Sequence, residues 1–502
     1  MEISEHAAGL MPGIPDSLFI FSIIFLFIAS FLLSEYLNGK KRRGDDYFKF
    51  NILRFCFVEK AVKSRALRFS ARFFVFLVFL LVVSAGFLGL QGADKNLAPL
   101  FTWTIWWSGL IFSILFFGKA FCYVCPWNFL ADLAQKLPFK KLDLKWPFFL
   151  RNIWLATGLF IGLTWLELGY GITISPFYTA VLGIAMLFLV LIPAFTFERK
   201  SFCRYGCLIG RVSGLYALFS PVEIRSKNKD ICRTCREKNC FFGSETAKPC
   251  PTFQCLATMD SNTYCTMCAE CILACKNDNV AINIRPFAKD LAFLKTTRVD
   301  EAYLAVIMLS LTSFHGLTMT GLWTGILNFM ERVTGVSYLF NFTLGMYAAI
   351  VLPIGLYYIF CEITRFFAGE KNISTRTVFI NFAYSFIPIA LFYHLAHNIS
   401  HLTHEGLKII PMLSDPFGYG WNIFGTAGMI FAQPLSMTAV WYLQIAFILL
   451  GHMVGIFVCG KIAGRLFQKP VRAQIPMLLA MIVFSVYSLY LIAQPMVMRT
   501  MM

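Results

Sequence analysis

Charge is what this 502-residue chain has least of: Asp, Glu, Lys and Arg make up 14% of it, against about a quarter in soluble domains. That shortage excludes an ordinary water-soluble globular class. Acidic side chains are the scarcer half, 27 against 44 Lys and Arg. No Cys-x-x-Cys-His occurs, which excludes covalently attached c-type haem by its usual signature. No basic stretch precedes the first apolar run and no small-residue cleavage site follows it, so a cleavable signal peptide is not expected.

Apolar length is what the chain has instead, with 58% hydrophobic and 17% aromatic residues. Runs long enough to cross a bilayer are expected near 17–36, 72–90, 101–117, 147–167 and 177–197, then 302–323, 338–360, 378–397, 437–458 and 475–494. The expected fold is an all-α polytopic membrane protein of about ten transmembrane helices, with an inserted bacterial-ferredoxin-like α+β module. The net charge of +17 is not spread as a nucleic-acid-binding face. Lys and Arg crowd into alternate loops, ten in 38–70, five in 119–145 and sixteen in 198–298. The positive-inside rule therefore places these loops in the cytoplasm and both termini outside, in a multi-pass protein of the inner (cytoplasmic) membrane.

Three parts follow from this pattern: a membrane block over 1–220, a polar Cys-rich segment over 221–298, and a second membrane block over 299–502 that holds six of the seven histidines. Most of the sixteen cysteines lie on the side expected to be cytoplasmic, where reduced thiols favour metal or cluster binding over disulfides.

The run Cys265, Cys268, Cys271, Cys275 has the spacing that wraps three thiolates around one iron–sulfur cube and sends the fourth to a neighbouring cube. A stretched half-motif precedes it: Cys232, Cys235 and Cys240, then Cys250-Pro251. Crossed ligation assigns Cys232, Cys235, Cys240 and Cys275 to one [4Fe-4S] cluster, and Cys265, Cys268, Cys271 and Cys250 to a second. Cys255 is left over and is expected to be a free thiol. A zinc module is the competing reading, but zinc knuckles pair two CxxC units across a longer gap.

The first membrane block carries an internal echo. Lys119-Ala-Phe-Cys122-Tyr-Val-Cys125-Pro126 resembles Lys200-Ser-Phe-Cys203-Arg-Tyr-Gly-Cys207, each copy after an apolar run and before an amphipathic stretch. Repeats in corresponding positions often build a site at their interface. Cys122, Cys125, Cys203 and Cys207 are thus candidates for a third cluster or for redox dithiols, against the plainer reading of buried structural cysteine.

These two edge motifs and the Cys-rich segment together resemble the membrane-bound 4Fe-4S polyferredoxins of the NosR/NapH/CcoG type, over about 101–285. Leu208 follows Cys207 where that family usually has proline. The resemblance implies electron transfer between quinol and metal centres, or service to a respiratory metalloenzyme. Some members add a large extracytoplasmic flavin domain; with about sixteen residues before the first apolar run, covalent flavin is not expected.

In the second membrane block, His394, His397, His401 and His404 fall at i, i+3, i+7 and i+10, one stripe of a helix. His315 and His452 lie within other apolar runs. Ionisable groups inside spans usually face the bundle interior and mark function. The deeper residues His315, His394, His397 and His452 are the candidate metal ligands, with haem b, copper or a quinone as the group they serve. His401 and His404 are expected nearer the aqueous edge. Interhelical hydrogen bonding is the plainer alternative for any one of them.

The reading that follows is a membrane-bound iron–sulfur electron-transfer protein of a respiratory chain, with the bilayer, the quinone pool and a redox enzyme or cytochrome as partners. Its alternative is an accessory protein that reduces or handles copper for a respiratory metalloenzyme. Whether it is a quinol-linked oxidoreductase or an electron-transfer subunit is left open by the sequence.

Overall fold

The computed structural model describes residues 10–39, 47–138, 141–370 and 372–497. Among them, eight helices are long and apolar enough to cross a membrane: Asp16–Tyr36 (α1), Arg65–Leu88 (α2), Leu97–Phe117 (α3), Pro176–Thr196, Tyr338–Ala368, Thr375–Ser414, Met437–Leu466 and Pro470–Ala493. Their outer faces are apolar and exposed, as at Phe21, Leu32, Phe74 and Leu352, a surface suited to lipid. The protein is a multi-pass membrane protein.

Two of the ten expected spans fall outside these eight. The run at 147–167 forms α6, Trp154–Gly169, of 16 residues. At 1.5 Å per residue it reaches only about 24 Å, short of a hydrocarbon core of about 30 Å. The run at 302–323 is broken. It forms α12, Val299–Thr318, then a turn, then α13, Gly321–Thr334. Helix α12 is buried along almost its whole length and starts with buried Asp300 and Glu301, so protein rather than lipid surrounds it.

Two short helix pairs sit at one rim of the bundle: α4 (Ala120–Val124) with α5 (Pro126–Ala134), and, after α7 (Pro176–Thr196), α8 (Ser201–Tyr205) with α9 (Leu208–Tyr216). Each pair is reached through one residue of positive φ, Gly118 (φ 59°) and Arg199 (φ 48°). The sequence echo is therefore an echo of backbone shape.

The Cys-rich segment is framed by β3 (Val222–Ser226) and β4 (Val280–Ile284), antiparallel with Val222 opposite Ile284. A third strand comes from far upstream: β2, Phe50–Asn51, pairs with the other edge of β4. Two further strands, β1 (Leu10–Met11) and β5 (Met496–Val497), pair the chain ends. Ile224, Val280 and Ile282 pack with Leu256, Met259 and Ile272 into a small core, against which Cys232, Cys240, Cys265, Cys271 and Cys275 rest. Helices α10 (Lys229–Thr234) and α11 (Glu270–Ala274) complete the unit.

In the remaining bundle, α14 is Tyr338–Ala368, α15 is Ile387–Glu405, α16 is Met437–Leu466 and α17 is Pro470–Ala493. Helix α15 lies at the centre: the apolar stretch containing it is 89% buried, against 17% for α1. Gly451 and Gly455 of α16 let it approach closely. A Cβ at Gly451 would stand 2.6 Å from Phe392 Cβ, and one at Gly455 2.9 Å from the Ser385 carbonyl oxygen. Helix α1 packs on α16 and α17 rather than on its sequence neighbours.

Candidate functional site

The loop from Cys265 to α11 is shaped by two residues that are not glycine. Met267 (φ 54°) and Ala269 (φ 59°) occupy the left-handed region, uncommon for side-chain-bearing residues. The loop thereby curls, and the Met267 and Glu270 backbone amides turn back onto the Cys265 and Cys268 sulfurs. Amides aimed at sulfur favour the thiolate and, in a cluster, its reduced state.

Three sets of thiols emerge. In the first, Cys232, Cys235, Cys240, Cys255 and Cys275 ring a cavity of about 260 Å³. Asn279 joins its two ends: its side-chain amide donates to Cys232 Sγ at 3.2 Å and its backbone N–H to Cys275 Sγ at 3.3 Å. Cys255, expected to be left over, lines this cavity too. Burial, and then the thiols of Cys255, Cys232 and Cys275, push Cys240 up to about 11.

The second set is Cys250, Cys265, Cys268 and Cys271. Burial and next the neighbouring Cys265 and Cys250 push Cys268 up to about 12, and burial with Cys268, Cys265, Cys250 and Cys240 holds Cys271 well above the ordinary thiol range. Cys250 accepts from the Gln254 backbone N–H at 3.2 Å. The structure thus brings the crossing cysteines, Cys275 and Cys250, to the sets that the spacing assigns them.

The third set is the echoed pair. Cys122, Cys125, Cys203 and Cys207 line one cavity of about 580 Å³, which Cys268 also reaches. Burial, then Cys203 and Cys122, push Cys207 up to about 12, against the Gly210 N–H that donates to its sulfur at 3.3 Å. Between this set and the second lies Lys119, fully buried, whose ammonium donates to the Thr263 carbonyl at 3.4 Å. Burial and the nearby Arg211 lower Lys119 to about 8, while Cys122, Cys207 and Cys265 pull the other way. The three sets therefore adjoin in a row, with Cys268 and Lys119 at one junction and Cys240 and Cys271 at the other.

Buried thiols held this far above their ordinary range ionise only against strong positive charge. Convergent thiols with amides aimed at sulfur fit an iron–sulfur cluster in each set. Cys232, Cys235, Cys240 and Cys275 would hold one, Cys250, Cys265, Cys268 and Cys271 a second, and Cys122, Cys125, Cys203 and Cys207 a third. Two carboxylates, Asp132 half-buried and Glu301 buried, fasten the thiol loops to the bundle. Asp132 of α5 meets Arg72 at 2.6 Å, Lys200 at 3.0 Å and Lys248 at 3.3 Å. Burial would raise its pKa, but Lys200, Lys248 and Arg72 outweigh that and hold it well below the carboxylate range. Glu301 of α12 accepts from the hydroxyls of Tyr264 (2.7 Å) and Tyr384 (2.6 Å).

The expected histidine ligands separate. His452 lies between Ser30 Oγ (2.7 Å) and Ser485 Oγ (2.8 Å), with both ring nitrogens engaged. His394 lies between the Trp107 indole N–H (3.2 Å) and the Tyr216 hydroxyl (3.4 Å). His315 and His397 do meet, and they meet His401, with ring centroids 4.8 and 4.9 Å apart. His401, expected near the aqueous edge, is 4% exposed, because α15 runs through the middle of the bundle. His404 is half-buried and bonds the Ser400 carbonyl at 2.9 Å.

Sequence reasoning missed Asn279, Lys119, Asp132 and Glu301. Lys119 had a signal, since Lys200 repeats it in the echo. The other three act across long sequence separations and leave no local pattern.

A 4Fe-4S binding domain matches this chain at residues 99–145 and again at 179–225. The first match contains Cys122 and Cys125, the second Cys203 and Cys207; the 232–275 thiols lie outside both. The uncharacterized protein MJ0749 of Methanocaldococcus jannaschii is 30% identical over 233 residues, 43% of this chain and 85% of that protein. The methylamine utilization ferredoxin-type protein MauN of Paracoccus denitrificans is 26% identical over 141 residues, 25% of this chain and 48% of that protein. No solved structure matches.

Proposed function

Because the chain belongs to the membrane-bound 4Fe-4S ferredoxin-type proteins, we propose that it conducts electrons along a row of three [4Fe-4S] sites at one rim of a membrane bundle, in exchange with the quinone pool and a respiratory redox enzyme. The observation that carries this reading is the adjacency of the three thiol sets. A [4Fe-4S] cluster, when bound, supplies one-electron exchange at a potential set by charge and hydrogen bonding around its sulfurs. The chain's own residues do the rest. The three Cys sets hold iron, with Cys275 and Cys250 crossing between loops. The amides of Asn279, Gln254 and Gly210 point at sulfur, and Lys119 keeps a cation between the second and third sets. These donors and the buried cation favour the reduced state at each site.

The division at 1–220, 221–298 and 299–502 is the proposed division of labour: edge thiols, thiol module and histidine block. The basic loops favour a cytoplasmic module, with both termini outside the inner membrane. Likeness to the NosR/NapH/CcoG type favours service to a respiratory enzyme, and the ferredoxin-type name of the MauN relative favours electron transfer.

The test is EPR of the purified full-length protein in detergent micelles after addition of a reduced water-soluble quinol, with dithionite as reference. Reduced [4Fe-4S] signals that appear with quinol support the reading. Signals that appear with dithionite and with no quinol at any ratio contradict exchange with quinone. A protein holding zinc and no iron contradicts the whole.

A further inference from the structure

We propose that His315, His397 and His401 form a binding site for one first-row divalent transition-metal ion, ligated by three imidazole nitrogens inside the bundle. Two helices build it. His397 and His401 stand at i and i+4 on α15, a spacing that sets two imidazoles over one another on one helix face so that both reach a single ion. His315 comes from the last turn of α12, which packs against α15.

The distances suit a small ion. His397 Nε2 and His401 Nε2 are 3.3 Å apart, and two nitrogens each roughly 2.0–2.1 Å from a tetrahedral ion stand about 3.3–3.4 Å from one another. One ligand nitrogen from each of the three histidines falls within 4.8 Å of the others, so binding requires the set to draw in by up to about 1.5 Å. Imidazole donors favour zinc, copper or iron over magnesium or calcium, which prefer oxygen.

The surroundings fit a cation. Glu167 Oε1 is 3.7 Å from His315 Nδ1, and Glu405 Oε2 is 3.8 Å from His401 Nδ1. Carboxylates behind ligating imidazoles fix ring orientation and raise basicity. Two of them also offset the charge of a dication in a low-dielectric interior. Glu405 is held in turn by the Thr104 hydroxyl at 3.0 Å, on the π-helical stretch Leu100–Trp106 of α3. Glu405 also lines a cavity of about 140 Å³ with Asp94, Thr104 and Lys408, which has room for a few waters at about 30 Å³ each.

The thiol sets play no part in this site, so its test and the test of electron transfer fail separately. Full-length protein with its iron–sulfur EPR signal present is stripped with a chelator, incubated with Zn2+ or Cu2+ as the aquo ion, desalted, and analysed for retained metal. One ion per chain is expected for at least one of the two metals, with three nitrogen neighbours at about 2.0 Å by X-ray absorption. His397→Ala and His401→Ala should each weaken retention more than tenfold with the iron–sulfur signal unchanged. His452→Ala, away from the site, should leave retention unchanged. If the cluster-loaded wild type retains neither metal, the proposal is overturned and the 3.3 Å contact is a histidine–histidine hydrogen bond. Retained metal with sulfur neighbours, which means an emptied thiol set, overturns it equally.

Discussion

Asn279 donates its side-chain amide to Cys232 Sγ at 3.2 Å, and so ties the start of the stretched half-motif to the end of the regular one. Its backbone N–H reaches Cys275 at 3.3 Å, and its side chain also bonds Asn228 at the head of α10. Donors to sulfur stabilise the more negative, reduced cluster. Asn279→Ala should therefore lower the reduction potential of the site at Cys232, Cys235, Cys240 and Cys275 by on the order of tens of millivolts, since a hydrogen bond to a charged group is worth roughly 1.5–3 kcal/mol. A redox titration followed by EPR checks this; an unchanged or raised potential contradicts it.

Crossed ligation makes a selective prediction. Cys275→Ser should remove the cluster signal of the Cys232 set and spare that of Cys265, Cys268 and Cys271, although Cys275 belongs to the latter run in sequence. Cys250→Ser should do the converse. Iron content and EPR of each variant distinguish the two, and loss of the same signal in both contradicts the assignment.

Asp132 predicts a pH dependence. Its three cations, Arg72, Lys200 and Lys248, come from α2, the α8 edge and the thiol module. The folded-state pKa is depressed, so its stabilisation is present above the unfolded value of about 3.9 and is lost as the pH falls through the folded value. Asp132→Asn should cost about 1–2 kcal/mol at neutral pH, less than breaking a fully buried pair because solvent reaches its partners. The gap between wild type and variant in thermal unfolding, followed by helicity, should be constant from about pH 8 to 5 and shrink below about pH 4. A gap that grows on acidification contradicts this.

Glu301 predicts a local loosening. Glu301→Gln leaves one of Tyr264 and Tyr384 facing an amide donor in place of an acceptor, at a cost of about 1–3 kcal/mol. Hydrogen exchange at 252–265 should rise in the variant while the α16–α17 pair stays protected. Equal exchange throughout contradicts a fastening role.

Some of this architecture was legible in sequence because its determinants are local. Spacing proposes the partition of the thiols between Cys232 and Cys275 with Cys255 set aside, and the Lys-x-Phe-Cys echo points to four edge thiols gathered in one place, where they line one cavity. Apolar runs located the helices, yet mean hydropathy cannot separate lipid-facing from protein-facing ones. The runs that form α6 and α12 therefore read like the other spans, although α6 is shorter and α12 is enclosed by protein. The histidine stripe was visible as periodicity, but which rings meet depends on α12 crossing α15, a tertiary fact. Periodicity thus does not show that His401 is buried beside His397, or that His452 lies between two serines. Cys255 and Asn279 reach their cavity through the fold of the loop, for which the sequence offers no periodic sign.

The central claim is a row of three iron–sulfur sites, and iron counting tests it most directly. Full-length protein purified without oxygen should carry about twelve irons and twelve acid-labile sulfides per chain, four of each per cluster. Cys122→Ser with Cys203→Ser should remove about four of each and leave the other signals intact. Eight irons in the wild type, unchanged by that double substitution, would contradict a third site at the echoed thiols and break the row where it meets the bundle.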